Sequence, residues 1–323
     1  MRVLLTGAGG FIGSQLTREL LKRGQLNDRQ GRPQNIQTIL LIDSHLPPIR
    51  DPRVFTIDGD ISDESVLRRV VEWGPDSVFH LAAILAGAAE PNPARALTVN
   101  VLALATLIEA IGSPEMPLRL VFPSSIAVFG GMFPDIVDED GAHRPQTAYG
   151  THKAIAELML ADSTRRGEID GRSLRLPIVL VHPGPATSSV SDRVAAIVRD
   201  AVAGREVVVP LRRETCIPVA SVQTVVGSLI AVHNASADKL NGINAINLPA
   251  LTVSMTDIAG SIKRCVSAAR LGRIVFAPNA ELETIVAGLP KGVTSRYAAN
   301  IGIAPDANFE QITSNYIASL TNV

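Results

Sequence analysis

Val3-Leu4-Leu5-Thr6-Gly7-Ala8-Gly9-Gly10-Phe11-Ile12-Gly13 opens the chain with a buried apolar strand, a glycine turn and the start of a helix. Gly7 permits the turn, Gly10 lets the backbone approach a pyrophosphate, and Gly13 allows the helix to pack closely on the strand. The helical periodicity from Gly13 to Arg23 ends at Gly24, a natural stop. The helix N-terminus then faces the phosphates. This context implies a dinucleotide held by Gly7, Gly10, Phe11 and Ile12.

Working outward, short apolar runs alternate with helical patterns. Strands are expected at Thr38–Ile42, Arg53–Ile57, Ser77–Leu81, Arg119–Pro123 and Ser173–Val181. Helices are expected from Ser62-Asp63-Glu64 onward, over Thr98–Ile111 and over Tyr149–Arg165. The polar stretch Gln25–Gln37 reads as a surface excursion. Such alternation predicts an α/β fold, a doubly wound Rossmann sheet of parallel strands covered on both faces. After Pro183-Gly184-Pro185 the rhythm loosens, with helical stretches near 191–203, 221–234 and 254–268 and a short strand at Glu206–Val209. Residues 1–181 are therefore read as mainly a dinucleotide-binding domain. Residues 182–323 are read as mainly a smaller substrate lobe, interleaved with the first.

The 323 residues are 46% hydrophobic, with 30 basic and 31 acidic side chains. A net charge of −1 offers no general attraction to nucleic acid or anionic lipid. Cys216 and Cys265 are too few for a disulfide framework. With no signal peptide and no apolar run read as membrane-spanning, the expectation is a cytoplasmic protein without nucleic-acid or membrane partners.

Asp43 ends the second strand, where a carboxylate can accept from an adenosine ribose. Ser44-His45-Leu46 brings no cation for a 2′-phosphate, which points to NAD rather than NADP. Asp60-Ile61 after the third strand could hold adenine. Far downstream, Tyr149 and Lys153 are four apart and share a helix face. A tyrosine near its ordinary pKa of about 10 is a poor base, and a nearby ammonium favours its phenolate. Ser124 and Ser125 follow the fifth strand, where a hydroxyl can orient a substrate oxygen. The combination implies hydride chemistry on a hydroxyl or carbonyl.

These pieces resemble the extended short-chain dehydrogenase/reductase family over nearly the whole chain. The family's strand-four ending is matched by Phe79-His80-Leu81-Ala82-Ala83, its helix asparagine by Asn100, and its serine block by Ser124-Ser125-Ile126-Ala127-Val128-Phe129-Gly130. The resemblance implies Ser125, Tyr149 and Lys153 as catalytic residues, with Lys153 also binding the nicotinamide ribose. It places Leu81, Ala82, Ala83, Asn100, Ser124, Pro177 and Val179 among the NAD contacts. Phe129 departs from the tyrosine of many members.

Dehydratases of this family need an acid pair where this chain has Ile126-Ala127. Its nucleotide-sugar epimerases place asparagine and arginine where this chain has Ile178 and Glu214, so a diphosphate would lack donors. Leu85-Ala86-Gly87-Ala88-Ala89-Glu90, Pro145-Gln146-Thr147-Ala148-Tyr149-Gly150 and Ile285-Val286-Ala287-Gly288-Leu289-Pro290 resemble the subgroup that oxidises D-erythronate, a four-carbon 2-hydroxy acid. The resemblance implies NAD-dependent oxidation of the C2 hydroxyl of a small sugar acid; a nucleotide-sugar epimerase with tightly bound NAD is the alternative. Arg144, Arg193, Arg212 and Arg213 are candidate partners for the acid group, and Thr187-Ser188-Ser189 could offer hydroxyls. His143, His182 and His233 lack metal-ligand spacing, so no metal is expected. Family members pair through two helices, here Thr98–Ile111 and Tyr149–Arg165, which makes a homodimer the expected assembly, with Leu104, Leu107, Ile108, Leu158 and Met159 as candidate apolar contacts.

Overall fold

Seven parallel strands form the central sheet of the computed structural model, which describes residues 1–181 and 190–320. They are β1 (Arg2–Thr6), β2 (Thr38–Asp43), β3 (Val54–Asp58), β4 (Ser77–His80), β5 (Leu118–Ser125), β6 (Ile169–Leu176) and β9 (Ala245–Asn247). Their spatial order is β9-β6-β5-β4-β1-β2-β3. The order reverses between β1 and β4, and crevices for ligands open at the carboxyl ends of strands there.

Alternation along each strand feeds two cores. Val3, Leu5, Ile39, Leu41, Phe79 and Val121 face α1 (Phe11–Arg23) and α6 (Val222–Asn234). Leu4, Leu40, Ile42, Val78, Leu120 and Phe122 face α2 (Glu64–Trp73), α3 (Pro93–Ile111) and α4 (Ala148–Arg165). Gly24 ends α1 in the left-handed region at φ 67°, its N–H returning to the Leu20 carbonyl.

Three sequence expectations need correction. The expected strand over Ser173–Val181 is two strands. Pro177 separates β6 from β7 (Ile178–Leu180), which lies in a second sheet beside β8 (Cys216–Ser221), itself paired with β10 (Leu251–Ser254). A proline has no N–H to give to a ladder, so the chain changes sheet there.

The excursion at 25–37 is a hairpin, Gln25–Asn27 against Pro33–Asn35. Its Leu26 and Ile36 are buried, and the Asn27 N–H donates to Asn234 Oδ1 at 2.8 Å at the end of α6.

Pro93–Ile111 is one helical stretch that begins earlier than Thr98, because Asn92 caps it and Pro93 fits its first turn. By length and composition alone it could cross a membrane, contrary to the sequence reading. Here Leu104, Leu107 and Ile108 are packed into the sheet core, whereas Leu158 of α4 is exposed.

The second sheet has its own core. Leu180 and Val219 pack with Val194 and Ile197 of α5 (Val190–Val202), Ile258 and Ile262 of α7 (Met255–Cys265), and Ile312 of α9 (Phe309–Leu320). Between α7 and α9 lies α8 (Ala280–Ala287), whose Thr284 and Ile285 reach back over the first sheet's cleft.

Candidate active site

A cleft of about 910 Å³ opens at the strand-order reversal. On the β1-β2-β3 side it is lined by Gly7, Gly10, Phe11, Ile12, Asp43, Asp60 and Ile61. On the β4-β5-β6 side it is lined by Leu81, Ala82, Ala83, Ser124, Ser125, Tyr149, Lys153, Pro177 and Val179. Every expected catalytic and NAD-contacting residue except Asn100 thus borders one space.

The glycine turn fits an NAD pyrophosphate. Gly7 sits at φ 68°, and a Cβ there would come 2.6 Å from the Ala82 nitrogen. A Cβ on Gly13 would come 2.2 Å from the Gly7 carbonyl oxygen. The turn is therefore drawn tight under the start of α1, and no side chain caps that helix at Gly10. Its first-turn N–H groups and dipole favour an anion. Asp43 is held by the same turn: the Gly9 N–H donates to its Oδ2 at 3.0 Å, and the His45 N–H to its Oδ1 at 3.1 Å. A carboxylate has further acceptor positions for a ribose diol. The residues present suit the adenosine and pyrophosphate of NAD.

Asp60 is more constrained than its sequence position indicates. It accepts from the Ser62 N–H at 2.8 Å and pairs with Arg95, a cleft-lining arginine from the first turn of α3. The sequence reading did not include Arg95, which lies 35 residues from Asp60, beyond α2 and β4.

Asn100 stands behind the wall. It sits in a π-helical turn of α3, Thr98–Leu102, and is buried. Its Oδ1 accepts from the Ile84 N–H at 2.7 Å, and its Nδ2 donates to the Ile84 carbonyl at 2.9 Å. Ile84 is the residue that lines the cleft.

Thr147 caps α4, its hydroxyl accepting from the Gly150 N–H at 3.0 Å, which sets Tyr149 in the first turn. Ser125 ends β5 and accepts from the Ala127 N–H at 3.1 Å. The Ser125 hydroxyl stands close enough to the Tyr149 phenol to act on its pKa. Burial raises the Tyr149 pKa, and Ser125 draws it partly back. Lys153 was expected to lower it. Its Nζ instead donates to the Pro123 carbonyl at 2.6 Å, lies 4.1 Å over the Phe122 ring and is 5.6 Å from the Tyr149 ring centre. At that distance burial outweighs it in the protein itself. Lys153 is pushed down to about 7 by burial, against the pull of Glu157. Among the described residues, Ser124 Oγ and His80 Nε2 are buried without a hydrogen-bond partner, and Ser124 borders the cleft.

None of Arg144, Arg193, Arg212 and Arg213 lines the cleft, and all four are exposed. Arg213 lies over the Phe276 ring at 3.9 Å. His143 meets Arg175 at 2.7 Å, and His233 meets Ser77 at 2.6 Å in the core. His182 and Thr187-Ser188-Ser189 lie outside the described residues. The cleft rim is completed by Gln146, Thr147, Thr284, Ile285 and Leu289, which sequence reasoning assigned no contact. Ile285 and Leu289 belong to a subgroup pattern noted in the sequence, and their placement depends on α8 crossing to the first sheet.

The profile of the NAD dependent epimerase/dehydratase family matches residues 3–235. The chain is 36% identical over 318 residues to a D-erythronate dehydrogenase from Cupriavidus necator, covering 98% of each chain. It is 30% identical over 319 residues to a D-erythronate dehydrogenase from Haemophilus influenzae, covering 98% of this chain and 99% of the relative. Among solved structures, a nucleoside-diphosphate-sugar epimerase from Agrobacterium tumefaciens superimposes with TM-score 0.90 at 29% identity, over 100% of this chain and 95% of that one. An L-threonine dehydrogenase from Cupriavidus necator, in its holo form, does so with TM-score 0.86 at 25% identity, over 99% of this chain and 100% of that one. By profile, near-full-length identity and fold, this chain belongs to the NAD dependent epimerase/dehydratase family.

Proposed function

We propose that the protein is a dehydrogenase that oxidises the C2 hydroxyl of a small sugar acid, D-erythronate being the first candidate. The observation that carries this is that Ser125, Tyr149 and Lys153 line one cleft with a glycine turn that suits NAD. The names of the two near-full-length relatives supply the substrate class.

NAD, when bound, supplies the acceptor for a hydride. The chain's own residues handle the substrate and its proton. Ser125 orients the substrate hydroxyl by hydrogen bonding to the substrate oxygen. Tyr149 Oη takes the hydroxyl proton as general base, a role worth about 10²–10⁴-fold. Lys153, as an ammonium, favours the phenolate and binds the nicotinamide ribose. Pro177 and Val179 border the nicotinamide, while Asp43 takes the adenosine ribose and Asp60-Ile61 the adenine. With the four candidate arginines outside the cleft, neutral donors such as Gln146, Thr147 and Thr284 meet the acid group.

The test is NADH absorbance with purified protein, NAD⁺ and three- to six-carbon sugar acids. Turnover on a four-carbon acid, lost in Tyr149→Phe while NAD still binds, supports the proposal; silence across the panel overturns it. The superposition on the Agrobacterium epimerase keeps a second reading, epimerisation of a nucleotide-linked sugar. Ile178 in the cleft and exposed Glu214 supply no diphosphate donors, so heat stabilisation by UDP-sugars is the outcome that would favour it. For assembly, we propose a homodimer through α3 and α4, where Leu102 and Leu158 are exposed; light scattering reads it directly.

A further inference from the structure

Tyr149, Lys153 and Glu157 recur at four-residue intervals along α4 and so share one face. Lys153 and Glu157 are each only 4% exposed. The ammonium has three donors, of which one meets the Pro123 carbonyl. A charge this far from water needs a counter-charge. On the Lys153 helix stand Tyr149 and Glu157. From β5 come the Phe122 ring and Pro123 carbonyl, and from β4 comes His80, which is neutral. Glu157, one turn along the same buried face, makes its ion pairs with Arg175 and His143 rather than with Lys153, and it acts on the ammonium through space, pulling its pKa upward.

Glu157 is itself gripped from behind. Arg175 on β6 donates through Nε to Oε1 at 3.0 Å and through Nη2 to Oε2 at 2.8 Å. Arg175 is fixed in turn by His143 at 2.7 Å, by Asn247 Oδ1 at 3.4 Å, and over the Phe129 ring at 5.2 Å. The His143 ring is 3.4 Å from Glu157 Oε2. Two permanent or potential cations thus face one carboxylate. Without Glu157, Arg175 and Lys153 would be like charges in one dry wall.

We propose that Glu157 is a positioning residue for the dehydrogenase reaction: held by Arg175, its carboxylate is the counter-charge that keeps Lys153 an ammonium beside Tyr149. Glu157 touches neither substrate nor NAD; it acts through Lys153. The inference rests on the proposed dehydrogenase reading for its functional meaning, but its first test does not need turnover.

That test follows the Lys153 side chain by NMR of the isotope-labelled full chain, titrated with pH in the absence of substrate. Glu157→Gln keeps the side chain's shape and one acceptor oxygen for Arg175. An opposite charge at this spacing shifts a pKa by about 1–3 units, so the Lys153 midpoint falls by about one unit or more in Glu157→Gln. In Glu157→Gln/Arg175→Met, where the Arg175 charge no longer stands unpaired behind Lys153, the midpoint lies between wild type and Glu157→Gln. Glu157→Asp, which keeps the charge, restores most of the shift. On an active substrate, the high-pH limb of kcat moves down by the same interval while KM for NAD holds. A Lys153 midpoint unchanged in Glu157→Gln and in the double variant overturns the proposal. A shifted midpoint with no sugar-acid turnover in any variant leaves the Glu157–Lys153 coupling intact and sinks the dehydrogenase reading instead.

Discussion

The Asn100 side chain clasps both backbone groups of Ile84, accepting from its N–H at 2.7 Å and donating to its carbonyl at 2.9 Å. One amide in the π turn of α3 thereby fixes a residue of the cleft wall without entering the cleft. Replacing it by leucine keeps the volume and orphans two buried polar groups, each costing about 1–3 kcal/mol. Asn100→Leu is expected to lower stability by about 2–4 kcal/mol in urea denaturation and to raise KM for NAD more than it changes kcat. An unchanged urea midpoint would mean that the π turn holds Ile84 unaided.

Gly13→Ala strikes the cofactor turn directly. Its Cβ would meet the Gly7 carbonyl at 2.2 Å, and backbone cannot swing away as a side chain can. Overpacking of this kind costs about 1–3 kcal/mol. The folded variant is expected to lose the rise in Tm that added NAD gives the wild type. An NAD-induced Tm rise equal to wild type would remove the turn from the binding site.

Lys153→Met should separate stability from activity. Burial holds the folded Lys153 at about 7, against 10.5 ordinarily. The unfolded chain therefore binds the extra proton between those values, and stability rises with pH across that window as the folded lysine sheds its charge. Below about pH 7 the full cost of the buried ammonium is present. Lys153→Met is expected to be more stable than wild type by about 2–4 kcal/mol at pH 6, with the gain shrinking toward pH 10, and to be inactive. A less stable variant at pH 6 would show that Glu157 already offsets the burial.

Acid should loosen the fold through two histidines. His80 and His233 are held at about 3, first by burial and then by Lys153 and Arg119 respectively. Below pH 6.5 the unfolded chain protonates these rings while the folded chain keeps them neutral, so stability falls with pH until about 3. Differential scanning calorimetry across that range should show the decline, and His233→Gln should flatten it. Equal slopes in both proteins would clear His233 of the effect.

Much of this was legible because local chemistry and tertiary placement agree. Val3 to Gly13 predicts strand, turn and helix because each position is constrained by its immediate neighbours, and Gly13 shows how tightly. Tyr149 and Lys153 were findable because helical spacing puts them on one face. Pro177 was visible as a residue, yet its effect was not: β6 and β7 read as one apolar run until the partner strands are known. Asn100 was found by family position, but its partner Ile84 and the π turn depend on how α3 meets the wall. The rim residues Thr284 and Ile285, and the Arg95–Asp60 pair, carry no local signal because they meet only after long crossovers. Where the Lys153 ammonium points was not legible from spacing: its Nζ donates to the Pro123 carbonyl.

The outermost strand of the main sheet, Ala245–Asn247, is laid beside Ser173–Arg175. A ribosome must deliver residue 247 of 323 before the sheet begun at Arg2 has its last member. Until then the nascent chain presents Ile169–Leu176 as an unpaired strand edge, the kind of surface that pairs with other chains. The interval between synthesis of residues 176 and 247 is thus the period in which this protein is most exposed to aggregation, and when a holding chaperone would matter most to its yield.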